Sequence, residues 1–367
     1  MIYLDSGATS LVKPASVYRA VLQAMETCGN PGRGGHRAAM TAAQPVYRCR
    51  ESAAELFDCL PEQVVFTGNC THGLNIAINT LVKPGSRVVI SGFEHNAVTR
   101  PLHGLRAKVQ VAGRKLFDPE DTLRAFQKAL EQGADAAVFT HVSNVFGYIL
   151  PVQTMAAMCR QRGIPFIIDA AQSAGSIPLS LDALGADFIA MPGHKGLLGP
   201  QGTGILLCNR TPEPLMAGGT GSESIRQSMP DALPERVEAG TLNVPGIAGL
   251  DAGLRYLRKT GVEKLGKREQ EAACACADML RRLGLQVYSG PNQGGVVSFV
   301  PRCDAEEAAE KLAGKGIALR AGLHCAPLAH ESAGTLETGT VRVSFGIDAC
   351  PEQVDALRKG ILACGIR

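Results

Sequence analysis

Asp169 and Lys195 are the two residues whose types and setting carry the most specific chemistry in this 367-residue sequence. Asp169 ends an apolar run of β type, Pro165-Phe166-Ile167-Ile168, and leads into Ala170-Ala171-Gln172. Lys195 sits in Gly193-His194-Lys195, the glycine-flanked turn after a second such run, Phe188-Ile189-Ala190-Met191. A lysine amine condenses with an aldehyde, and a carboxylate keeps a pyridine nitrogen protonated so that the ring can accept electrons. Pyridoxal 5'-phosphate needs both groups together. A lone Asp after a strand is usually a helix cap and a lone Lys a solvated charge, so the pair carries the reading. Cys325, in Arg320-Ala321-Gly322-Leu323-His324-Cys325-Ala326-Pro327, adds a candidate nucleophile. Flanking glycine and proline place it on a loop, and Arg320 and His324 are expected to favour its thiolate.

These groups need a scaffold. Between about residues 50 and 210, apolar β-type runs alternate with amphipathic helical stretches, the pattern of a largely parallel sheet. Strands are expected at Gln63–Thr67, Arg87–Gly92, Lys108–Val111, Ala136–His141, Phe166–Asp169, Phe188–Met191 and Gly204–Leu207. Helices are expected between them at Cys70–Thr80, Asn96–Leu105, Pro119–Glu131, Thr154–Arg162 and Gln172–Ala174. Leu215–Asn243 reads as loop. A long helical stretch from about Gly246 to Leu283 leads into a second α/β unit with strands near Gln286–Tyr288, Gly295–Val300, Ala318–Arg320 and Val341–Phe345. Its helices are expected at Ala305–Lys315 and Glu352–Cys364. The expected division is a large domain over 12–245 and a small C-terminal domain over 246–367, with 1–11 packing on the latter. Functional groups in parallel sheets gather at the carboxyl ends of strands, where Thr67, His95, Asn144 and Asp169 all fall.

Hydrophobic residues make up 45% and charged residues 19%, which suits a globular α/β chain. The formal net charge of +3 comes with no block of like charges, so neither nucleic acid nor a membrane surface is expected as partner. No signal peptide or spanning segment is read, and the expected location is cytoplasmic. The twelve cysteines are scattered without C-x-x-C spacing, so no metal site is expected and eleven read as free thiols. Thr67-Gly68-Asn69-Cys70-Thr71-His72-Gly73 joins a strand to a helix and offers backbone N–H groups to a phosphate. Gly199-Pro200-Gln201-Gly202-Thr203-Gly204 opens into a strand and so is no dinucleotide fingerprint. Arg342 stands in the alternating strand Thr340–Phe345, and its guanidinium fork suits an α-carboxylate.

Asp169, Lys195 and Cys325 in these settings resemble the class V aminotransferase superfamily, and within it the cysteine desulfurase and selenocysteine lyase family. The resemblance runs from Tyr3-Leu4-Asp5-Ser6-Gly7-Ala8-Thr9 and Asn30-Pro31-Gly32-Arg33-Gly34-Gly35-His36-Arg37 to the last helix. It implies the fold of type I pyridoxal-phosphate-dependent transferases and a homodimer. It further implies that Lys195 holds the cofactor and moves the substrate α-proton, while Asp169 faces the pyridine nitrogen. His95 would stack on the ring and handle protons, and Gln172 would bond its phenolic oxygen. Cys70, Thr71 and His194 would lie at the phosphate, joined by Thr241 from the partner subunit. Arg342 and Arg320 would bind the substrate carboxylate and Asn144 either that carboxylate or the cofactor's phenolic edge, with His36 near the entrance.

The implied reaction turns L-cysteine into L-alanine, with a persulfide on Cys325 for transfer to an acceptor protein. Two positions depart from the family: Pro192 where serine is common and His72 where an acidic residue is usual. The short stretch from Cys325 to Arg342 resembles the subgroup with a short, ordered cysteine loop, which often acts on L-selenocysteine. The alternatives are a selenocysteine lyase, another class V reaction such as transamination, or a cofactor-binding regulator or scaffold without catalysis.

Overall fold

The computed structural model describes residues 1–32 and 34–366. Arg33, part of the glycine-rich motif near the start, lies outside the described residues. In chain order the elements begin with β1 (Ile2–Tyr3), α1 (Ala15–Thr27), α2 (Arg37–Phe57), β2 (Val64–Thr67), α3 (Cys70–Leu81), β3 (Arg87–Ile90), α4 (Asn96–Gly104) and β4 (Lys108–Val111). Next come α5 (Pro119–Glu131), β5 (Ala136–Thr140), α6 (Val152–Arg162), β6 (Phe166–Asp169), α7 (Leu181–Leu184), β7 (Phe188–Pro192) and β8 (Gly204–Cys208). The remainder is α8 (Val244–Thr260), α9 (Val262–Arg282), β9 (Gln286–Tyr288), β10 (Val296–Val300), α10 (Ala305–Ala313), β11 (Ile317–Ala318), β12 (Arg320–Gly322), α11 (Pro327–Ala333), β13 (Thr340–Ser344) and α12 (Pro351–Cys364).

Local chemistry sets these boundaries. α5 starts at Asp118, whose side chain accepts from the Asp121 amide at 2.9 Å, and continues with Pro119, Glu120 and Asp121 in its first turn. That order supplies a cap, a proline whose missing N–H costs nothing there, and charges that favour a helix N-terminus. The strands of the large sheet are apolar at nearly every position because both faces are covered. Val88, Ile90, Val138 and Ile167 face the layer of α3 and α4, whereas Val89, Phe139, Phe166 and Ile168 face the opposite core. Phe139 lies 5.0 Å from Phe126 and 6.1 Å from Phe166, ring centre to ring centre. Truncating such a ring typically costs about 3–5 kcal/mol.

Seven strands run in the order β2-β8-β7-β6-β5-β3-β4, with β8 antiparallel to both neighbours and the other pairs parallel. This is the large, mostly parallel sheet expected. A four-stranded antiparallel sheet, β12-β13-β10-β9, forms the second unit with α9, α10 and α12. β1 pairs in parallel with β11, and Leu4 is buried in the second unit's core.

The structure changes the expected elements at four places. The long helix expected from Gly246 to Leu283 is two helices, broken at Gly261, whose φ of +92° interrupts helical geometry. Ile247, Leu250, Leu254 and Leu257 of α8 join the large sheet's core. We therefore propose Gly261, in place of residue 245, as the division between the units. The helix expected at Gln172–Ala174 is a hydrogen-bonded turn, because only a few residues separate β6 from the next close approach. The strand expected at Ala318–Arg320 is split: Ile317–Ala318 pairs with β1 and Arg320–Gly322 with β13. Finally, the helices α1, α2, α7 and α11 lie outside the expected elements.

Candidate active site

Asp169, the last residue of β6, and Lys195, three residues past the end of the adjacent β7, stand at the same edge of the sheet. The Lys195 turn closes on itself through Leu198 N to Lys195 O at 2.9 Å and Gly199 N to Gly193 O at 2.7 Å. It presses against the turn after Asp169. A Cβ on Gly175 would run into the carbonyl of Gly196, and one on Gly196 into the carbonyl of Ala174. Glycine at both positions lets the two turns touch through their backbones.

Asp169 is 2% exposed, and its Oδ1 accepts from the Ala171 amide at 2.9 Å and the Cys70 thiol at 3.4 Å. Among the described residues its other oxygen accepts no hydrogen bond. Burial pushes the Lys195 ammonium below its ordinary value, aided by the Arg342 guanidinium and opposed by Asp169. A buried carboxylate with a free oxygen beside a lysine biased towards its amine form fits the ring nitrogen and aldehyde of pyridoxal phosphate. The phosphate end fits too: α3 begins at Cys70, and Thr71 is exposed in its first turn.

His72 folds back into this turn, its Nδ1 accepting from the Gly68 amide at 3.3 Å, and burial lowers its pKa. An acidic residue could not accept there without a second charge facing a bound phosphate. Thr241 is exposed and lines a cleft of about 200 Å³ with Gly68 and His72 of the same chain. Its loop is fixed by Glu238, which pairs with Arg50 and accepts from the Phe66 amide at 2.7 Å. His194 holds Thr9 Oγ1 at 3.0 Å through Nδ1, and its pKa is pushed down to about 4, chiefly by burial. That leaves its ring neutral near pH 7. Pro192 is buried as the last residue of β7, opposite Gly204 of β8.

His95 caps α4, its Nδ1 accepting from the Ala97 amide at 2.9 Å, so that Nε2 carries the ring proton. Burial lowers its pKa and the Asp169 charge opposes this. Gln172 gives one amide hydrogen to the Gly7 carbonyl at 2.9 Å, leaving the second for a ligand. His36 caps α2 and is exposed, and no hydrogen bond ties it to Asp169, Lys195 or Cys325 among the described residues.

The second unit supplies the other wall. Cys325 is exposed in a tight turn between β12 and α11, where His324 and Cys325 both have left-handed backbone, φ +49° and +57°. Two non-glycine residues in that region cost energy, so outside contacts must hold the turn. The Asn144 amide donates to the His324 carbonyl at 2.8 Å, and the Asn96 backbone donates to the Cys325 carbonyl at 2.7 Å. His324 does not supply the positive charge expected beside the thiol. It is buried against the Thr340 carbonyl at 3.1 Å, and burial with the Arg342 charge pushes its pKa to about 3.

Arg342 is 3% exposed; it donates to the Asn144 carbonyl at 3.1 Å and pairs with Asp5 at 2.8 Å. Its Nε is buried without an acceptor among the described residues. Arg320 is exposed and pairs with the other oxygen of Asp5 at 3.1 Å. No motif gave a role to Asp5, Thr9, Ser10 or Lys13, although Asp5 and Thr9 fall in the opening segment that carries the resemblance. Ser10 and Lys13 donate to the His194 carbonyl, at 3.0 and 3.4 Å, and Ser10 also to that of Lys195 at 3.1 Å. The only signal was the short polar run after Tyr3-Leu4, whose partners lie far along the chain.

The sequence model of the family described as Aminotransferase class-V matches residues 2–357. A probable cysteine desulfurase from Pyrococcus abyssi is 33% identical, over 97% of this chain and 92% of the relative. A cysteine desulfurase from Klebsiella pneumoniae is 31% identical, over 98% and 92% respectively. The apo structure of a cysteine desulfurase from Thermococcus onnurineus superposes with a TM-score of 0.89 at 30% identity, covering 100% of this chain and 94% of that one. The S-sulfonic acid form of an Escherichia coli cysteine desulfurase gives 0.85 at 26%, covering 99% and 94%. By its sequence and by the frame that carries Lys195 and Asp169, the chain belongs to the aminotransferase class-V family, among relatives that are cysteine desulfurases.

Proposed function

We propose that this protein is a pyridoxal-phosphate-dependent cysteine desulfurase, converting L-cysteine to L-alanine and passing the sulfur through a persulfide on Cys325. The observation that carries this reading is the Cys325 turn: an exposed thiol at a strained bend, pinned to the start of α4 by Asn96 and to the loop after β5 by Asn144. A cysteine that was only packing would be buried and unstrained, like Cys49 or Cys276.

Bound pyridoxal phosphate supplies an electron sink next to the substrate α-carbon. Arg342 receives the substrate carboxylate, for which its buried and unpaired Nε is the open donor. Lys195 Nζ, biased towards its amine form, accepts the α-proton. Asp169, which accepts from the Cys70 thiol, would hold the protonated ring nitrogen, and Thr71, the Cys70 end of α3 and His194 would hold the phosphate. Cys325 Sγ attacks the substrate sulfur; the carbon–sulfur bond breaks, its electron pair stays with the β-carbon, which takes up a proton, and return of the α-proton from Lys195 completes alanine. His95, whose Nδ1 accepts from the Ala97 amide, keeps Nε2–H as a donor for such a proton. Asn144 acts by holding the cysteine turn, and Arg320 by sharing Asp5 with Arg342.

A homodimer is part of this reading. α1 exposes Tyr18, Leu22 and Met25 along one stripe, and α2 exposes Met40 and Tyr47, an apolar area that a second copy would cover. Thr241 is placed on an exposed loop that can serve a partner's phosphate. The acceptor is a protein that presents a thiol to Cys325. Twelve free thiols suit a reducing, cytoplasmic setting, and no helix among the described residues is long and apolar enough to cross a membrane.

The test is alanine release from L-cysteine and L-selenocysteine by the cofactor-loaded protein, with Cys325→Ala alongside. Cofactor binding should survive in Cys325→Ala and alanine release from L-cysteine should be lost. Normal release by that variant would sink the mechanism, and turnover of L-selenocysteine alone would make the protein a selenocysteine lyase.

A further inference from the structure

Asp5 lies where the substrate carboxylate is to be bound, yet it is itself a carboxylate. Its Oδ1 is 2.8 Å from Arg342 Nη2, and its Oδ2 is 3.2 Å from Arg320 Nε and 3.1 Å from Arg320 Nη2. Arg342 is almost fully buried, with Nη1 on the Asn144 carbonyl and Nε facing no acceptor among the described residues. One guanidinium edge is therefore occupied by the protein's own anion, and Nε is a buried donor without a partner among the described residues. The cluster holds two guanidinium cations and one carboxylate, which leaves one positive charge for an incoming ligand.

From this arrangement we propose that Asp5 is a resident counter-ion of the substrate site, a positioning residue that limits the site to ligands bearing one carboxylate. The proposal rests on the reading of Arg342 as the carboxylate anchor. Asp5 does two things there. It holds the buried guanidinium by Nη2 and leaves Nε free of the protein's own acceptors. It also cancels the charge of Arg320, so an amino acid with a second anionic group finds no second cation. L-Cysteine and L-alanine meet this condition, and L-aspartate does not. The tempered charge has a further effect, because the product carries the same carboxylate as the substrate and must leave.

Removing the charge of Asp5 without its shape reverses the usual expectation for a structural residue. In Asp5→Asn the buried Arg342 loses its counter-ion, and the ligand carboxylate becomes the group that neutralises it. Binding of L-alanine should tighten by about tenfold, as expected when a close like charge is removed from a partly buried site. Arg320→Gln should act in the opposite direction. It leaves Asp5 wholly to Arg342, so L-alanine should bind several-fold more weakly.

The experiment is calorimetric titration of L-alanine and L-aspartate into the cofactor-loaded wild type, Asp5→Asn, Arg320→Gln and Arg342→Gln. Support consists of tighter L-alanine binding and new L-aspartate binding in Asp5→Asn, with weaker L-alanine binding in Arg320→Gln. If Asp5→Asn binds L-alanine no more tightly than wild type, while Arg342→Gln loses it, the proposal falls and the anchor stands. If Arg342→Gln binds L-alanine as the wild type does, the anchor reading falls and the proposal with it. Should Asp5→Asn fail to fold, Arg320→Gln decides alone: unchanged or tighter L-alanine binding there overturns the proposal.

Discussion

The two walls of the site are built in different ways. In the large unit, Asp169 and Lys195 follow neighbouring parallel strands, and each side chain's place is set by the strand that precedes it. In the small unit, Arg320 and Arg342 sit opposite each other on antiparallel strands, and Cys325 stands in the turn beyond. The large-unit wall is held by sheet geometry. The small-unit wall depends on contacts from elsewhere, namely Asp5, Asn96 and Asn144. Covalent attachment of a cofactor suits the first construction, and a thiol that must give up its cargo suits the second.

Lys195→Ala gives the sharpest test of that contrast. It should remove the covalent hold on pyridoxal phosphate and lower turnover by at least the ~10²–10⁴-fold of a lost general base. Alkylation of Cys325 by a thiol reagent should proceed in this variant as in the wild type. A large change in Cys325 labelling would mean that the two walls are one unit.

Asn144→Ala probes the dependence of the small-unit wall. The lost bond to the His324 carbonyl is a single neutral hydrogen bond, worth about 1 kcal/mol, so sulfur transfer should slow about fivefold. Cofactor binding, followed by its visible absorbance, should not change. Equal damage to both properties would contradict the division of labour.

The smallest effects concern pH, where the two walls should respond with opposite sign. His330 is fully buried behind the cysteine turn, 5.9 Å from His324 between ring centres, and burial pushes its pKa to about 4. Its folded value lies below the ordinary one of about 6.5, so the neutral ring's stability is present above pH 6.5 and is lost as pH falls towards 4. Glu94 is fully buried between the Ser91 hydroxyl and the Thr140 amide, and burial raises it to about 8. Its raised value means stability present below about pH 4.3 and lost progressively as pH rises through about 8. Replacing His330 by Gln should flatten the acid limb of the melting profile by about 1 kcal/mol at pH 5.5, and Glu94→Gln the alkaline limb. Both variants acting on the same limb would show that one region alone governs unfolding.

The contrast also explains what was legible in the sequence. Parallel strands buried on both faces are continuous apolar runs, so β5, β6 and β7 could be placed closely, and Asp169 and Lys195 with them. α2 could not be read this way, because Pro45 lies inside it and its buried face is largely alanine. Nor could the break at Gly261, where helical periodicity continues on both sides. In the small unit, His324 was legible as a neighbour of Cys325 but not as a neutral ring turned towards Thr340, since burial depends on distant strands. The roles of Asp5 and Ser10 depend on partners that no local pattern reveals.

The ties made by the first ten residues bear on when the site comes into being during synthesis. Asp5 and Gly7 reach partners 337 positions later, at Arg342 and Ser344. A chain emerging from the ribosome can complete the large sheet, and with it the Lys195 pocket, long before those partners exist. Until β11 has been made, the opening strand β1 lacks its strand partner, and until β13 has been made Asp5 and Gly7 lack theirs. A nascent or prematurely terminated chain thus carries the cofactor half without the carboxylate half, and sulfur chemistry begins only when both ends of the polypeptide have met.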